Sequence, residues 1–178
     1  MKTASSLSVT DFRSFPPSER ENATVQILAS NPGRDSLESR HYYTHPRNAF
    51  WPIMSMLYGL TGSGYEEKTR ELAEKGVAVW DVLKACFRAG SLDANIDDST
   101  IIVNDFTDFF NRHSAVNHVF FNGAKADAVY RKHVLPRLGP HRAGLPLTRL
   151  PSTSPAHAGM SLEQKARAWR IVREASLE

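Results

Sequence analysis

Short apolar runs, each closed by polar turn residues and separated by helix-length segments, constrain the fold of this chain more than any other feature. The first holds Val25, Ile27 and Leu28 and stops at Ser30-Asn31-Pro32-Gly33, a strong breaker cluster. Similar runs follow at 76–80 and 116–121, and a weaker one at 145–150. Runs this short and this uniformly apolar read as strands buried on both faces, which parallel sheets covered by helices provide. The intervening segments supply the helices. Phe50, Ile53, Met54 and Leu57 share a face of a helix that tolerates Pro52 only in its first turn. Segments 66–75 and 81–87 read as further helices. Asn104 is the expected N-cap of a helix over 105–112, whose Phe106, Phe109 and Phe110 share a face. Another helix is expected over 123–135. Ser161-Leu162-Glu163-Gln164 is a capping box opening a last helix, with Trp169 and Val172 facing inward. The alternation predicts an α/β protein, a three-layer α/β/α sandwich with a short, mostly parallel four-stranded sheet.

At 178 residues there is room for one domain with a proper core. Residues 1–22, rich in Ser, Thr, Pro and charge, are expected to form a flexible N-terminal arm, leaving 23–178 as the single domain. The formal charge of +3 and the pI near 9.1 agree with a nucleic-acid partner without requiring one. Cys86 is the only cysteine, so no intramolecular disulfide and no thiolate metal cluster can form, and a reducing, cytoplasmic compartment is the natural expectation. No apolar run reaches signal-peptide or membrane-span length, so no membrane partner is expected.

Open α/β sheets bind ligands beyond the carboxyl ends of their strands, which directs attention to 30–43, 80–81, 122–123 and 151–160. In Asn31-Pro32-Gly33, Pro removes a backbone donor and Gly permits close approach, so the turn can press its main chain against a ligand. The Asn31 side chain can hold water with its carbonyl and a base or sugar with its amide; the same tripeptide is also ordinary turn chemistry. The block 41–51, His-Tyr-Tyr-Thr-His-Pro-Arg-Asn-Ala-Phe-Trp, offers flat tyrosine faces suited to a planar base. Asn48 adds a second carboxamide near a helix start, where an N-cap role competes. His41 and His45 lie in a loop pattern with no carboxylate partner, so no metal is expected. In 151–160, Ser152, Thr153 and Ser154 stand between two prolines, a composition suited to a stiff loop that bonds phosphate oxygens. No G-x-S-x-G elbow, Walker loop, H-E-x-x-H or G-x-G-x-x-G occurs.

Together these blocks resemble the uracil-DNA glycosylase superfamily. Ser30-Asn31-Pro32-Gly33 is similar to the Gly-x-Asn-Pro-Gly of the mismatch-specific uracil/thymine glycosylases, and the 45–51 stretch to the His-Pro-x-Asn-x-Phe-Trp that follows it there. Residues 150–155 resemble the loop that pinches the DNA backbone. The fullest likeness, from about Val25 to Trp169, is to the hypoxanthine-DNA glycosylase family. It is carried by 42–51, Trp80-Asp81-Val82-Leu83, 86–93, Asn104-Asp105-Phe106, Phe120-Phe121-Asn122-Gly123 and 150–158. One departure stands out. That family's first motif usually reads Gly-Ser-Phe/Met-Pro-Ser/Gly, without a catalytic polar residue, whereas this chain carries both Asn48 and Asn31.

The resemblance implies a monofunctional DNA glycosylase acting on flipped hypoxanthine, uracil or both, as a monomer with DNA as partner and without cofactor or metal. By the same resemblance Asn31 and Asn48 are the candidate catalytic residues. Tyr43, Asn122, Pro32 and Gly33 are the base-binding candidates, with Tyr43 stacking on the base. Ser152, Thr153, Ser154 and His157 are the DNA-binding candidates. No lysine sits in the matched motifs, so strand cleavage through a Schiff base is not expected. Two other classes compete: a damage-binding module of the same fold without turnover, and a small-ester hydrolase using Ser30 or Ser154.

Overall fold

The computed structural model describes residues 10–13, 16–32, 34–88 and 93–178. In chain order the elements begin with strand β1 (Thr10–Arg13), strand β2 (Val25–Ala29), and helices α1 (Arg34–Ser39), α2 (Phe50–Tyr58) and α3 (Tyr65–Glu74). Strands β3 (Val77–Asp81), β4 (Leu83–Arg88) and β5 (Ile102–Val103) follow, then helix α4 (Phe106–Arg112), strand β6 (His118–Asn122) and helix α5 (Ala124–Val129). Helix α6 (Pro140–Ala143), strand β7 (Leu147–Leu150) and helix α7 (Leu162–Ser176) complete the chain.

The expected sheet forms. Strands β3, β2, β6 and β7 pair in that order, and every pairing is parallel. Because the side-chain period of a strand is two, Leu28, Trp80 and Phe121 share one face while Ile27, Val79 and Phe120 share the other. On the first face Trp80 packs against Phe106 and Phe109 of α4, and Phe121 against Tyr130. On the second, α7 packs on β2 and meets α2, where the Phe50 and Trp169 rings contact edge to face at 6.1 Å. All of these rings are buried, so each side of the sheet carries its own aromatic layer.

Four expectations need correction. Segment 81–87 is not helical: β4 runs through it as the middle of a second, antiparallel sheet ordered β1-β4-β5. Leu83, Cys86 and Arg88 are buried while Lys84 and Phe87 are exposed, a pattern too irregular to reveal strand periodicity. The strand exists because β1 and β5, distant in sequence, supply its hydrogen bonds. Parts of the 1–22 arm are ordered by pairing: β1 lies along β4, and Ser18 exchanges both backbone bonds with Val79 at 2.9 Å, closing the exposed edge of β3. The cap of α4 is Asp105, whose carboxylate accepts from the Asp108 N–H at 3.0 Å, whereas Asn104 donates to the Asp81 carbonyl. The helix expected over 123–135 is α5 followed by a π-helical turn over Tyr130–Val134 and a 3-10 turn over Leu135–Arg137.

The capping box of α7 forms as read: Ser161 Oγ accepts from the Gln164 N–H and the Gln164 carbonyl accepts from the Ser161 N–H. Ser161→Ala is therefore expected to lower stability by about 1 kcal/mol in urea denaturation. An unchanged midpoint would mean that tertiary contacts alone fix the start of α7.

Candidate active site

The pleat brings Ala29, Asp81 and Asn122 to one face at the carboxyl ends of β2, β3 and β6. They line a cleft of about 620 Å³, within the range of small-ligand sites. Asn31, Pro32, Tyr43, Asn48, Asn122, Ser152, Thr153, Ser154 and His157 all border it, so nine of the ten candidate side chains, from three separated loops and the end of β6, converge. Gly33, the tenth, lies outside the described residues.

Each side chain is held by identifiable bonds. Asn31 is buried; its Nδ2 donates to Cys86 Sγ at 3.7 Å and its Oδ1 stands 3.3 Å from Ser30 Oγ, whose one proton goes to Asp93. The Pro32 carbonyl accepts from the buried Arg88 guanidinium at 2.7 Å, which clamps the turn from behind. Burial pulls the Arg88 pKa down while the Asp93 charge opposes that shift. Tyr43 has φ +58°, a left-handed backbone that costs a non-glycine residue about 1–2 kcal/mol. Its ring stacks on Phe50 with centroids 4.0 Å apart, so one ring face remains to meet a ligand. The Tyr43 hydroxyl is buried beside Asn122 without a hydrogen bond of good geometry, and desolvation drives its pKa far above that of a free phenol. The neighbouring Tyr42 is locked three times: its N–H donates to Tyr65 Oη, its carbonyl accepts from Trp51 Nε1, and its hydroxyl donates to the Pro16 carbonyl. These bonds hold the strained turn at Tyr43.

Asn48 does both things considered for it. Its Oδ1 accepts from the Phe50 N–H at 2.9 Å, in the manner of a cap, and its Nδ2 donates to no described protein group. Asn122 is bound at both ends to one residue: Nδ2 donates to Thr153 Oγ1 and Oδ1 accepts from the Thr153 N–H, both at 2.9 Å. The next residue, Gly123, has φ +97°, and a Cβ there would stand 3.3 Å from Ser152 Cβ, so only glycine brings β6 this close to the loop. Helix α2 adds a third tie, Ala49 N–H to the Thr153 carbonyl at 2.9 Å. From α7, Trp169 Nε1 donates to the Pro151 carbonyl at 2.9 Å and the buried Lys165 reaches the Ser154 carbonyl at 3.4 Å. Within the loop, Ser152 Oγ and Ser154 Oγ accept backbone N–H bonds, which leaves each hydroxyl proton to donate outward. His157 is exposed at the rim.

Sequence reasoning missed two carboxylates on the cleft wall. Asp81 is completely buried, and its charge adds to the desolvation that raises the pKa of both Tyr42 and Tyr43. Its location just past an apolar run was the available signal. Asp93 accepts from Ser30 Oγ at 2.6 Å, and nothing in its sequence surroundings indicates that contact. The esterase reading fails on geometry: Ser30 Oγ donates to a carboxylate, Ser154 Oγ accepts a backbone N–H, and neither bonds a histidine among the described residues.

The sequence profile of the uracil DNA glycosylase superfamily matches residues 16–174. A hypoxanthine DNA glycosylase of Methanosarcina acetivorans is 36% identical over 116 residues, which are 64% of this chain and 72% of that protein. One from Methanosarcina barkeri is 35% identical over 114 residues, 63% of this chain and 71% of its own. The solution NMR structure of a Methanosarcina acetivorans protein, provisionally named a uracil DNA glycosylase, superposes with a TM-score of 0.77 at 30% identity, covering 95% of this chain and all of that one.

The doubled Asn122–Thr153 contact carries a measurable expectation. Asn122→Ala leaves the buried Thr153 N–H without a partner and should cost about 1–3 kcal/mol in chemical denaturation. A smaller loss in the Thr153→Ala background than in the wild type is not expected to exceed the side-chain bond, because the backbone N–H bond to Asn122 persists there.

Proposed function

This chain belongs to the uracil DNA glycosylase superfamily and is a DNA glycosylase, and on that premise we propose that it hydrolyses the N-glycosidic bond of a deaminated base, hypoxanthine or uracil, flipped into the cleft. The observation that carries this reading is the meeting of Asn31, Tyr43, Asn48, Asn122 and the 152–157 loop around one cleft with room for a flipped nucleoside.

Bond breakage leaves an oxocarbenium-like sugar and an anionic base, so the site must favour both charges and deliver water. The free face of Tyr43 stacks on the base. The unengaged Nδ2 of Asn48 donates to the base edge or to water. Asp81 places a carboxylate on the cleft wall, where it favours the ring N–H that deamination creates in place of the lone pair that adenine and cytosine present. That difference favours the deaminated base over its parent. Asn122 acts chiefly by holding Thr153, with one amide proton and one lone pair left for a ligand. The hydroxyl protons of Ser152 and Ser154 donate to DNA phosphates, and His157 adds a rim contact. Among the described residues no lysine lines the cleft, which supports hydrolysis without a Schiff base. A lesion in chromosomal DNA as substrate favours the compartment that holds that DNA. Among the described residues no helix is long and apolar enough to cross a membrane.

The decisive assay offers duplexes bearing deoxyinosine, uracil or thymine mismatches and then cleaves abasic sites with alkali. Alkali-dependent cleavage at deoxyinosine or uracil is expected; no product from any lesion removes the proposal, and binding without release restores the non-catalytic module. Asn48→Ala should slow single-turnover release by about 10²-fold, the usual effect of losing one preorganised donor. Wild-type rates in both Asn48→Ala and Asn31→Ala would strip these residues of their roles. Sedimentation at the monomer mass is expected throughout.

A further inference from the structure

Hydrolysis needs a proton acceptor for the incoming water, and neither carboxamide supplies a good one. Asn31 Nδ2 donates to Cys86 and Asn48 Oδ1 caps α2, and an amide can orient a water but is not basic. The cleft wall beside Asn31 holds a group that is basic. After β4 the described chain resumes at Asp93, in a single 3-10 turn over Asp93–Asn95, and an antiparallel bridge between Arg88 and Ile96 holds that turn to the strand. Asp93 borders the cleft, and its Oδ1 receives the Ser30 hydroxyl at 2.6 Å, a short charge-assisted bond. Ser30 is buried and immediately precedes Asn31. Oδ2 has no described protein donor.

We propose that Asp93 is the general base of the reaction, its carboxylate held by Ser30 so that the second oxygen faces the hydrolytic water. This inference rests on the glycosylase reading and adds a reacting group to it. As the bond from C1′ to the base nitrogen breaks, its electron pair leaves with the base. The water oxygen bonds C1′, and the proton it sheds passes to Asp93 Oδ2 and then to solvent or to the departing base. The carboxylate charge also favours the cationic sugar before water adds.

The charged and titratable groups around Asp93 are Arg88 and Cys86 on β4, Asp81 on β3 and Tyr43 on the opposite loop, with His45 and His157 farther along the cleft wall. Arg88 is a cation whose charge couples to Asp93; its bond to the Pro32 carbonyl keeps it behind the turn rather than in the cleft.

The test is single-turnover base release from a deoxyinosine or uracil duplex between pH 4 and pH 8. It is made alongside affinity for a duplex whose target sugar is fluorinated and resists hydrolysis. A carboxylate base is active when ionised, so the wild-type rate should fall as pH drops through the carboxylate range. Asp93→Asn, which can still accept from Ser30, should lose about 10²-fold or more in rate, lose that acid limb, and bind the uncleavable duplex within threefold of wild type. Asp93→Glu should keep the acid limb at a reduced rate, and it serves if Asp93→Asn does not fold. An Asp93→Asn rate within threefold of wild type, a persisting acid limb, or a rate loss no larger than the loss of binding overturns the proposal. For Asp93→Glu, a pH-independent rate overturns it. Wild type inactive on every lesion overturns the glycosylase reading and this inference together; active wild type with an undisturbed Asp93→Asn overturns this inference alone.

Discussion

The pairing of Asn122 with Thr153 is the contact on which the rest of the cleft depends. A parallel strand ends with carbonyls and side chains that must find partners, and β6 ends on a carboxamide bound to both the backbone and the side chain of the loop after β7. The two bonds turn a Ser/Pro-rich segment into a wall of fixed height. Gly123 lets that wall approach, the start of α2 bonds it from one side, and Trp169 and Lys165 bond it from the other. A loop held at five points presents its serine protons with little left to order when a phosphate arrives, which lowers the entropic cost of binding.

The remaining walls follow the same logic of rigidity with a few groups left open. Tyr43 occupies a backbone region that a tyrosine avoids, and the bonds around Tyr42 together with the Phe50 stack hold it there. Asn48 caps a helix with one end and leaves the other for a ligand, so its structural and chemical roles coincide. Behind the first turn, Arg88 binds the Pro32 carbonyl and holds the turn against β4. The second sheet, β1-β4-β5, belongs to this machinery: it delivers Cys86 and Arg88 to the back of the Asn31 turn.

What the chain discloses by itself is local and periodic. Three strands of the parallel sheet were legible because both faces of each are covered, which leaves continuous apolar runs, the half-exposed β7 gave a weaker signal, and the capping box of α7 was legible because four adjacent residues suffice to build it. The candidate side chains were legible because ligands collect at strand ends, and motifs there resemble a known family in order and spacing. Strand β4 was not legible, since its pairing partners are distant and its burial alternates imperfectly. The Ser30–Asp93 bond was hidden too, 63 positions apart with no local signal at either end. Sequence therefore determined the sheet, the layers and the names of half of the cleft residues, all consequences of short-range pattern. Tertiary structure alone decided which atoms of those residues are already bonded and which stay open, because hydrogen-bond partners are chosen in space, after chain segments far apart have met.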